Sequence, residues 1–427
     1  MNCHLTNSLR LILSALLCFA PLLSEAKVLL GDERSDVYLP LLEGKKVALF
    51  SNHSGIVGDR AEGLLYPALE EVREESSLCA FGTPESGKRV VYGPHIADYL
   101  LDKGIDLRLI FSPEHGFRGT ADYGQEVESG LDPGSGLPVL SLYGRRSWKL
   151  EEKLAEIDVL VVDIQDVGLR YYTYYISLLE LMEGCAKTGT LVLLLDRPNP
   201  NGFYCGGPVL DMAFKSGVGA LPIASVHGLT LGELALMANG EGWLKGGVKC
   251  RLEVVECLGY EHSMHLSLLK APSPNLKDMK AVYLYASTCW FEGTDISLGR
   301  GTNYPFEVYG APCLQGDYSF TPQSMEGAKN PPHKGEKCFG KSLRDKPLRE
   351  IWAEGANISY ILETYRDYPE KEKYFLNGGR FFNLLMGNSY TKEMIERGES
   401  CSAIYDRWQK ELDDYAQLRS KYLIYPE

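Results

Sequence analysis

A carboxylate, a histidine and an arginine stand close together in the segment SPEHGFRG, directly after an apolar run. Glu114 is difficult to explain as a helix cap, because two glycines follow it and no periodic helix begins there. Glycines permit positive φ and the close approach of a ligand, so the pattern favours a catalytic carboxylate at Glu114. His115 and Arg118 are candidates for contacts either with a bound ligand or within the loop.

Three further polar loops follow apolar runs in the same way. They are SNHSG from Ser51, DIQDVGLRYYTYY from Asp163 and DRPNPNG from Asp196. One such loop is compatible with a turn and a helix cap. Asp163 or Asp196, taken alone, could each cap the helix that follows it. Four of them predict a site, because the carboxyl ends of parallel strands converge at one edge of a sheet.

The elements that must position these loops are short runs rich in Val, Leu and Ile, which are typical of buried parallel strands. These runs are residues 45–52, 105–112, 157–164 and 190–197. Helical patterns such as HIADYLLDKG and YYISLLELMEGCAKTG lie between them. Alternation of strand and helix predicts an α/β fold with a Rossmann-like, doubly wound parallel sheet.

The sequence predicts two domains after a leader at residues 1–26. The Rossmann-like domain takes residues 27–259 and ends after the strand-like KCRLEVVEC; its helix TLGELALMANGEGWL opens with a capping box at Thr230 and Glu233. Residues 260–427 form a smaller mixed α+β C-terminal domain that completes the cleft. There we expect an isolated strand at MKAVYLYAST and a polar helix over residues 392–421.

The first 26 residues are typical of a signal peptide. Arg10 precedes an apolar run over residues 11–23, and Ser24 and Ala26 have the spacing that a signal peptidase recognises. The run is short of the roughly 20 residues that span a bilayer, which disfavours an anchor, and the leucine before Cys18 fits a lipid-attachment site poorly. We therefore expect a periplasmic or secreted protein whose mature chain begins near Lys27.

Charge and cysteine content narrow the function classes. The net charge of -13 argues against a nucleic-acid partner. The cysteines show no CxxC spacing, and Cys313 with Cys338 is the candidate disulfide pair.

Several cofactor and nucleophile classes lack their motifs. The chain has no HExxH zinc motif, no glycine-rich nucleotide loop after a strand and no GxSxG elbow, so we expect no metal, no cofactor and no serine nucleophile. Carboxylates without a metal or cofactor suit glycoside cleavage, in which one carboxylic acid protonates the leaving oxygen. The candidate cations for a carboxylate on the sugar are Arg118, Arg170, Arg197 and Arg300.

Several long motifs resemble one known family. They are FSPEHGFRG, DVLVVDIQDVGLRYYTYY, DRPNPNG, GALPIASVHGLTLGELALM, APSPNL and WFEGTDISLGRGTNYPFEVYGAP. This set is similar to the NamZ-type exo-β-N-acetylmuramidases, from about residue 40 to the C-terminus. The resemblance implies a glycosidase that removes N-acetylmuramic acid from the non-reducing end of peptide-free peptidoglycan, with its site between a Rossmann-like and a smaller domain.

The resemblance also implies roles for individual residues. The catalytic glutamate of the family lies in SPEHG, which corresponds to Glu114, while its partner stays open between Asp166, Asp163, Glu292 and the substrate's own N-acetyl group. The implied binding positions are Asn52, Gln165, Arg170, Tyr172, Asp196, Arg197, Asn199 and His227, with Glu292 and Arg300 from the second domain.

Two other functions compete with this one. A periplasmic binding protein for muropeptide sugars would share the two-domain cleft, and a metal-dependent sugar deacetylase or esterase would share the polar loops. The expected partner is a peptidoglycan-derived glycan of alternating N-acetylmuramic acid and N-acetylglucosamine.

Overall fold

The computed structural model describes residues 28–58, 81, 93–114, 116–117, 129–144 and 147–427. A mostly parallel sheet of seven strands lies at its centre, with helices on both faces and a helical C-terminal region. This arrangement confirms the predicted α/β class. The predicted leader, His115 and Arg118 lie outside the described residues.

The strands of the central sheet follow the order β3-β4-β2-β1-β5-β6-β9. They are β1 Lys46–Ser51, β2 Asp106–Ser112, β3 Gly130–Leu131, β4 Pro138–Ser141, β5 Val159–Asp163, β6 Leu191–Leu195 and β9 Leu252–Val255. All neighbours are parallel except β3 and β4. A separate antiparallel pair joins β7 Gly206–Val209 to β8 Ala224–Val226.

Alternate side chains of each strand enter two different cores. In β1, Val47 and Leu49 pack against α1 (Ser35–Leu42) and α2 (Ile96–Asp102), while Ala48 and Phe50 point to the opposite face. Strands buried on both faces need apolar residues at every position, so the runs of Val, Leu and Ile predicted them. All four predicted strands are confirmed.

Three more helices pack on the sheet. They are α3 Leu150–Leu154, α4 Tyr174–Thr188 and α5 Leu231–Gly240. Helix α4 ends at Gly189, whose φ of 79° is the left-handed conformation that stops a helix. The predicted capping box at the start of α5 is present, with Thr230 Oγ1 accepting from the Glu233 amide and the Glu233 carboxylate accepting from the Thr230 amide.

The segment MKAVYLYAST, predicted as a strand, is instead helix α6 (Met279–Thr288), so that prediction was wrong. All ten of its residues are buried, and Asp278 caps its start. A helix that is buried on every side shows no polar face, so its apolar run has no periodicity that separates it from a strand.

The remaining elements build the C-terminal region. A three-stranded antiparallel sheet has the order β10-β12-β11. Its strands and the helices around it are β10 Val308–Ala311, β11 Tyr318–Phe320, β12 Cys338–Ser342, α7 Leu348–Glu354, α8 Ser359–Asp367, α9 Lys371–Tyr374, α10 Arg380–Met386, α11 Tyr390–Glu396 and α12 Cys401–Arg419.

Two further predictions for this region need correction. The single polar helix over residues 392–421 is divided into α11 and α12, because Gly398 adopts a φ of 73° and ends the first. Cys313 and Cys338 are both free thiols, Cys313 exposed and Cys338 buried, so the candidate disulfide is not formed. The domain boundary near residue 260 stays a prediction; β9 ends five residues earlier, at Val255.

None of the helices in the described part of the chain combines the length and apolar character that crossing a bilayer requires.

A buried ion pair joins the ends of two neighbouring strands. Arg197, just beyond β6, donates from Nε to Asp163 Oδ1 at 2.6 Å and from Nη2 to Asp163 Oδ2 at 3.0 Å. Its Nη2 also donates to Asp32 Oδ2 at 2.8 Å, in the 3₁₀ helix Gly31–Glu33. Burial alone would lower the pKa of Arg197, but the two aspartates raise it above its ordinary value. The cation therefore stays charged and connects β5, β6 and the N-terminal segment.

We predict that Arg197→Gln lowers the free energy of unfolding by about 3–5 kcal/mol, because it leaves buried carboxylates without their cation. Urea unfolding followed by circular dichroism measures this loss. Arg366→Gln is the matched control, since Arg366 forms an exposed pair with Asp367 at 2.8 Å and should change stability by less than about 1 kcal/mol. Equal losses in the two variants would contradict the account.

Candidate active site

The four predicted loops leave the same edge of the sheet. Ser51 at the end of β1 lies in register with Asp163 at the end of β5, and β2 and β6 flank these two strands. The polar residues that follow the strands are therefore brought together, as their sequence positions predicted. The chain order reverses between β1 and β5, which is where open α/β sheets form a crevice.

A cleft of about 220 Å³ lies at this edge and is built from both halves of the chain. From the N-terminal half, Glu114 lines it together with a group of tyrosines. From the C-terminal half, residues of α6, the 3₁₀ helix Cys289–Gly293, the loops around them and α10 close it. The C-terminal lining residues are Ser273, Asn275, Leu276, Tyr285, Cys289, Glu292, Arg300, Phe306 and Leu385.

Glu114 stands at the start of a tight turn after β2. The Gly116 amide donates to Pro113 O at 3.1 Å, and Gly116 has a φ of 76°, so the predicted need for glycine is confirmed at this position. Thr173 Oγ1 donates to Glu114 Oε2 at 3.4 Å. Tyr143 contacts the same carboxylate, and burial together with Glu114 raises the pKa of this phenol. Glu114 is thus a largely buried carboxyl group that faces the cleft between two hydroxyls.

Tyrosine rings form one wall of the cleft. The Tyr172 hydroxyl donates to Pro272 O at 2.8 Å, and the Tyr174 hydroxyl donates to the same oxygen at 3.2 Å. Tyr171 and Tyr285 meet edge to face, with ring centroids 5.4 Å apart. Because the hydroxyls are bound to protein carbonyls, the rings offer mainly their apolar surface, which suits one face of a sugar ring.

Glu292 and Arg300 form an ion pair in the opposite wall. Arg300 Nη2 donates to Glu292 Oε1 at 2.7 Å, and both side chains are mostly buried. The resemblance implied that the second domain contributes these two residues, and the structure places both in the cleft with Glu114. Their contact with a substrate stays a prediction.

Asp166 and His227 lie close together but do not line the cleft. Asp166 Oδ1 accepts from the Gly168 amide at 2.7 Å and lies 3.8 Å from His227 Nε2. Burial raises the pKa of Asp166 to about 7 and lowers that of His227 to about 3. The Leu229 amide donates to His227 Nδ1, so the neutral ring carries its proton on Nε2, facing Asp166.

Asp163 and Asp196 are bound within the protein. Asp163 holds Arg197, as described above. Asp196 accepts from Thr230 Oγ1 at 2.6 Å, from the Gly232 amide at 2.9 Å and from the Tyr425 hydroxyl at 2.8 Å. Burial raises the pKa of Asp196 to about 6, although these hydrogen bonds oppose it. A direct contact of Asp163, Asp196 or Arg197 with substrate is not supported by this placement.

Arg170 does not act as a clamp in this geometry. Its Nη2 donates to Ser225 Oγ at 3.1 Å and to Leu385 O and Met386 O, the last carbonyls of α10, at 3.0 and 3.2 Å. The side chain is fully buried, and burial lowers its pKa. A cation at a helix C-terminus is favourable, so we assign Arg170 to the support of α10 and not to the substrate.

Three predicted amide side chains secure the loops behind the cleft. Gln165 Nε2 donates to Pro198 O at 2.8 Å, and Asn199 Nδ2 donates to Leu229 O at 2.9 Å. Asn52 Oδ1 accepts from the Ser54 amide at 2.9 Å, and its side chain also contacts Tyr174. None of the three lines the cleft, so a supporting role is the better assignment. Of the predicted binding residues that the structure describes, Tyr172, Glu292 and Arg300 line the cleft.

The sequence reasoning missed several residues around Glu114. Tyr143 follows β4, whose half-exposed residues have no apolar run to mark a strand end. Thr173 lies in the tyrosine-rich loop after β5, and Ser273 and Asn275 lie in the APSPNL motif, but the sequence analysis did not select these residues. Among the described residues, no three side chains of His, Cys, Asp or Glu are grouped to hold a metal ion.

Comparison with known proteins identifies the family. Residues 85–280 match the family model described as exo-β-N-acetylmuramidase NamZ, N-terminal, and residues 283–425 match its C-terminal counterpart. A relative from Bacillus subtilis (strain 168), peptidoglycan β-N-acetylmuramidase NamZ, is 35% identical over 344 residues, which cover 75% of this chain and 80% of the relative.

Two crystal structures of DUF1343 family proteins from Bacteroides fragilis NCTC 9343 have the same fold. One is 43% identical with a TM-score of 0.79, covering 94% of this chain and 99% of the other. The second is 25% identical with a TM-score of 0.72, covering 93% and 99%. On the strength of the two family matches and the Bacillus relative, the chain belongs to the NamZ family of exo-β-N-acetylmuramidases, and it is a glycosidase.

Proposed function

We propose that this glycosidase releases N-acetylmuramic acid from the non-reducing end of peptide-free peptidoglycan fragments, with Glu114 as the general acid. The observation that carries the proposal is a buried carboxyl group in a tyrosine-walled cleft, held between Thr173 and Tyr143. Such a group can protonate the leaving glycosidic oxygen. Membership of a glycosidase family sets aside the alternatives of a binding protein and of a deacetylase.

The positions of the candidates in the structure narrow the choice of the group that acts together with Glu114. Of the three carboxylates considered as partners of Glu114, Glu292 lines the cleft, while Asp163 is bound to Arg197 and Asp166 lies behind the lining. We therefore propose that the partner is either Glu292 or the substrate's own N-acetyl group. Asp166 is assigned to the support of the loop that carries Gln165 and Gly168.

We predict that Glu114→Gln lowers kcat/KM by at least about 100-fold for a substrate whose leaving group is a sugar, because an amide cannot donate the proton. The loss should be smaller for a nitrophenyl glycoside, since nitrophenolate leaves without protonation. Release of N-acetylmuramic acid from both substrates is measured by chromatography.

Glu152→Gln is the control for this experiment, because Glu152 is exposed and forms a surface ion pair with Lys149 at 2.6 Å. Circular dichroism checks that both variants are folded. Equal losses of kcat/KM on the two substrates would show that Glu114 is not the acid. Near-normal turnover of the sugar substrate by Glu114→Gln would contradict the proposal as a whole.

We predict that Asp166→Asn gains stability relative to the parent protein as the pH rises from 5 to 8. The folded pKa of Asp166 is about 7, above the ordinary 3.8, so its stabilising contribution is present at low pH and is lost as the pH rises through about 7. The difference in unfolding free energy should shift by about 2–3 kcal/mol in favour of the variant. Urea unfolding of both proteins at pH 5 and pH 8 measures this shift. If the difference in unfolding free energy does not change with pH, burial does not raise the pKa of Asp166.

We also propose that the protein is exported to the periplasm or the medium, with residues 1–26 as the signal peptide. The mature chain should then begin at Lys27, as N-terminal sequencing of the exported protein would show. Ala26→Leu should block the cleavage, because signal peptidase requires a small residue there. A mature chain that keeps residues 1–26, or that carries lipid on Cys18, would refute this processing.

A further inference from the structure

A second cavity of about 460 Å³ adjoins the cleft, and we call it the outer cavity. It is lined by residues from three segments of the C-terminal region, 291–300, 327–332 and 376–381. Glu292 and Arg300 line both the cleft and the outer cavity, so their ion pair stands at the border between the two spaces.

The two spaces differ in their access to solvent. Most side chains that line the cleft are buried, among them Tyr171 and Tyr285. The outer cavity has an exposed rim, to which Asn330, Pro332 and Leu376 belong. A chain whose end lies in the enclosed cleft can therefore reach solvent through the outer cavity.

The volume of the cleft limits how much of a glycan it can hold. At about 220 Å³ it lies below the roughly 300–1,000 Å³ that is typical of small-molecule sites. This space suits one terminal sugar and not several rings of a chain. When the end sugar occupies the cleft, the rest of the chain has to lie against a neighbouring surface.

The wall of the outer cavity has the chemistry that an uncharged sugar needs. Phe381, in the first turn of α10, is partly buried and packs with one side on the core. Leu376 lies beside it along the chain and is 39% exposed. Aromatic and aliphatic side chains pack against the C–H face of a sugar ring, and N-acetylglucosamine carries no charge that would oppose such burial.

We infer that the outer cavity binds the part of the glycan that leaves, with Phe381 and Leu376 in contact with the first sugar after the cleaved bond. The inference rests on the proposed function. It gives these two residues a specific role, since they favour substrates whose leaving group is a sugar over glycosides whose leaving group is small.

The test compares two substrates. One is the disaccharide of N-acetylmuramic acid β-linked to N-acetylglucosamine, and the other is the trifluoroethyl β-glycoside of N-acetylmuramic acid. Trifluoroethanol resembles a sugar hydroxyl in acidity but has no ring, so both substrates need the acid and only the first can fill the outer cavity.

Phe381→Ala should lower kcat/KM for the disaccharide by roughly 5- to 20-fold, because it removes an aromatic contact with the leaving sugar. The rate on the trifluoroethyl glycoside should change by less than about 2-fold. Release of N-acetylmuramic acid is measured by chromatography. Phe339→Ala is the matched control, since Phe339 is a partly buried residue of β12 that lines neither space, and it should leave the ratio of the two rates unchanged.

Leu376→Ala provides a second variant that does not disturb the core. It should lower kcat/KM for the disaccharide by roughly 2- to 5-fold and leave the trifluoroethyl glycoside unaffected. Its control is Leu258→Ala, because Leu258 is 45% exposed and lines neither space. If Phe381→Ala does not fold, the contrast between these two leucine variants decides the question.

Failure of the inference and failure of the proposed function give different results. A parent protein that releases N-acetylmuramic acid from neither substrate would overturn the proposed function. If the parent cleaves both substrates and Phe381→Ala slows both equally, the residue acts on the cleft itself and the inference is wrong. Unchanged rates on both substrates in Phe381→Ala and in Leu376→Ala would also overturn it.

Discussion

The ion pair of Arg197 with Asp163 is the interaction on which the polar edge of the sheet depends. It joins the end of β5 to the chain just after β6, and through Asp32 it also holds the N-terminal segment. A charge in this position has lost its water, so it is tolerated only with partners of opposite sign in good geometry. With those partners it fixes the starting points of the two loops that carry Gln165, Asp166 and Asn199.

The polar residues at this edge therefore divide into two groups. Asp163, Asp196, Arg197 and the amides of Gln165 and Asn199 bind the protein and keep the loops in place. Glu114 and Tyr172 stand in front of them and line the cleft, facing Glu292 and Arg300 from the C-terminal region. The cleft presents a carboxyl group, an apolar wall and a cation because the residues behind it keep the loops in place.

Much of the fold could be predicted from the sequence, because buried parallel strands need apolar residues at every position and helix ends need particular caps. The strands and the capping box of Thr230 and Glu233 followed from these requirements. Helix α6 was misassigned for the same physical reason, since a fully buried helix has the composition of a strand. The division of α11 from α12 depended on the left-handed conformation of a single residue, Gly398.

The convergence of the polar loops at one edge of the sheet could be predicted from the sequence, but the individual contacts of their side chains could not. Four arginines had the right chemistry for a carboxylate, and their sequence positions did not distinguish them. Of the three that the structure describes, Arg170 and Arg197 turned out to serve α10 and the strand ends, and that difference depends on long-range packing. Tyr143 was missed because the strand before it, β4, is short and half exposed.

The most direct test of the central claim is the identity of the product from a natural substrate. Peptide-free glycan chains of defined length, ending at the non-reducing end in either N-acetylmuramic acid or N-acetylglucosamine, would be incubated with the protein and analysed by mass spectrometry. The account predicts free N-acetylmuramic acid and a chain shorter by one sugar from the first substrate, and no release from the second. Internal cleavage, or release of the terminal sugar from both chains, would contradict it.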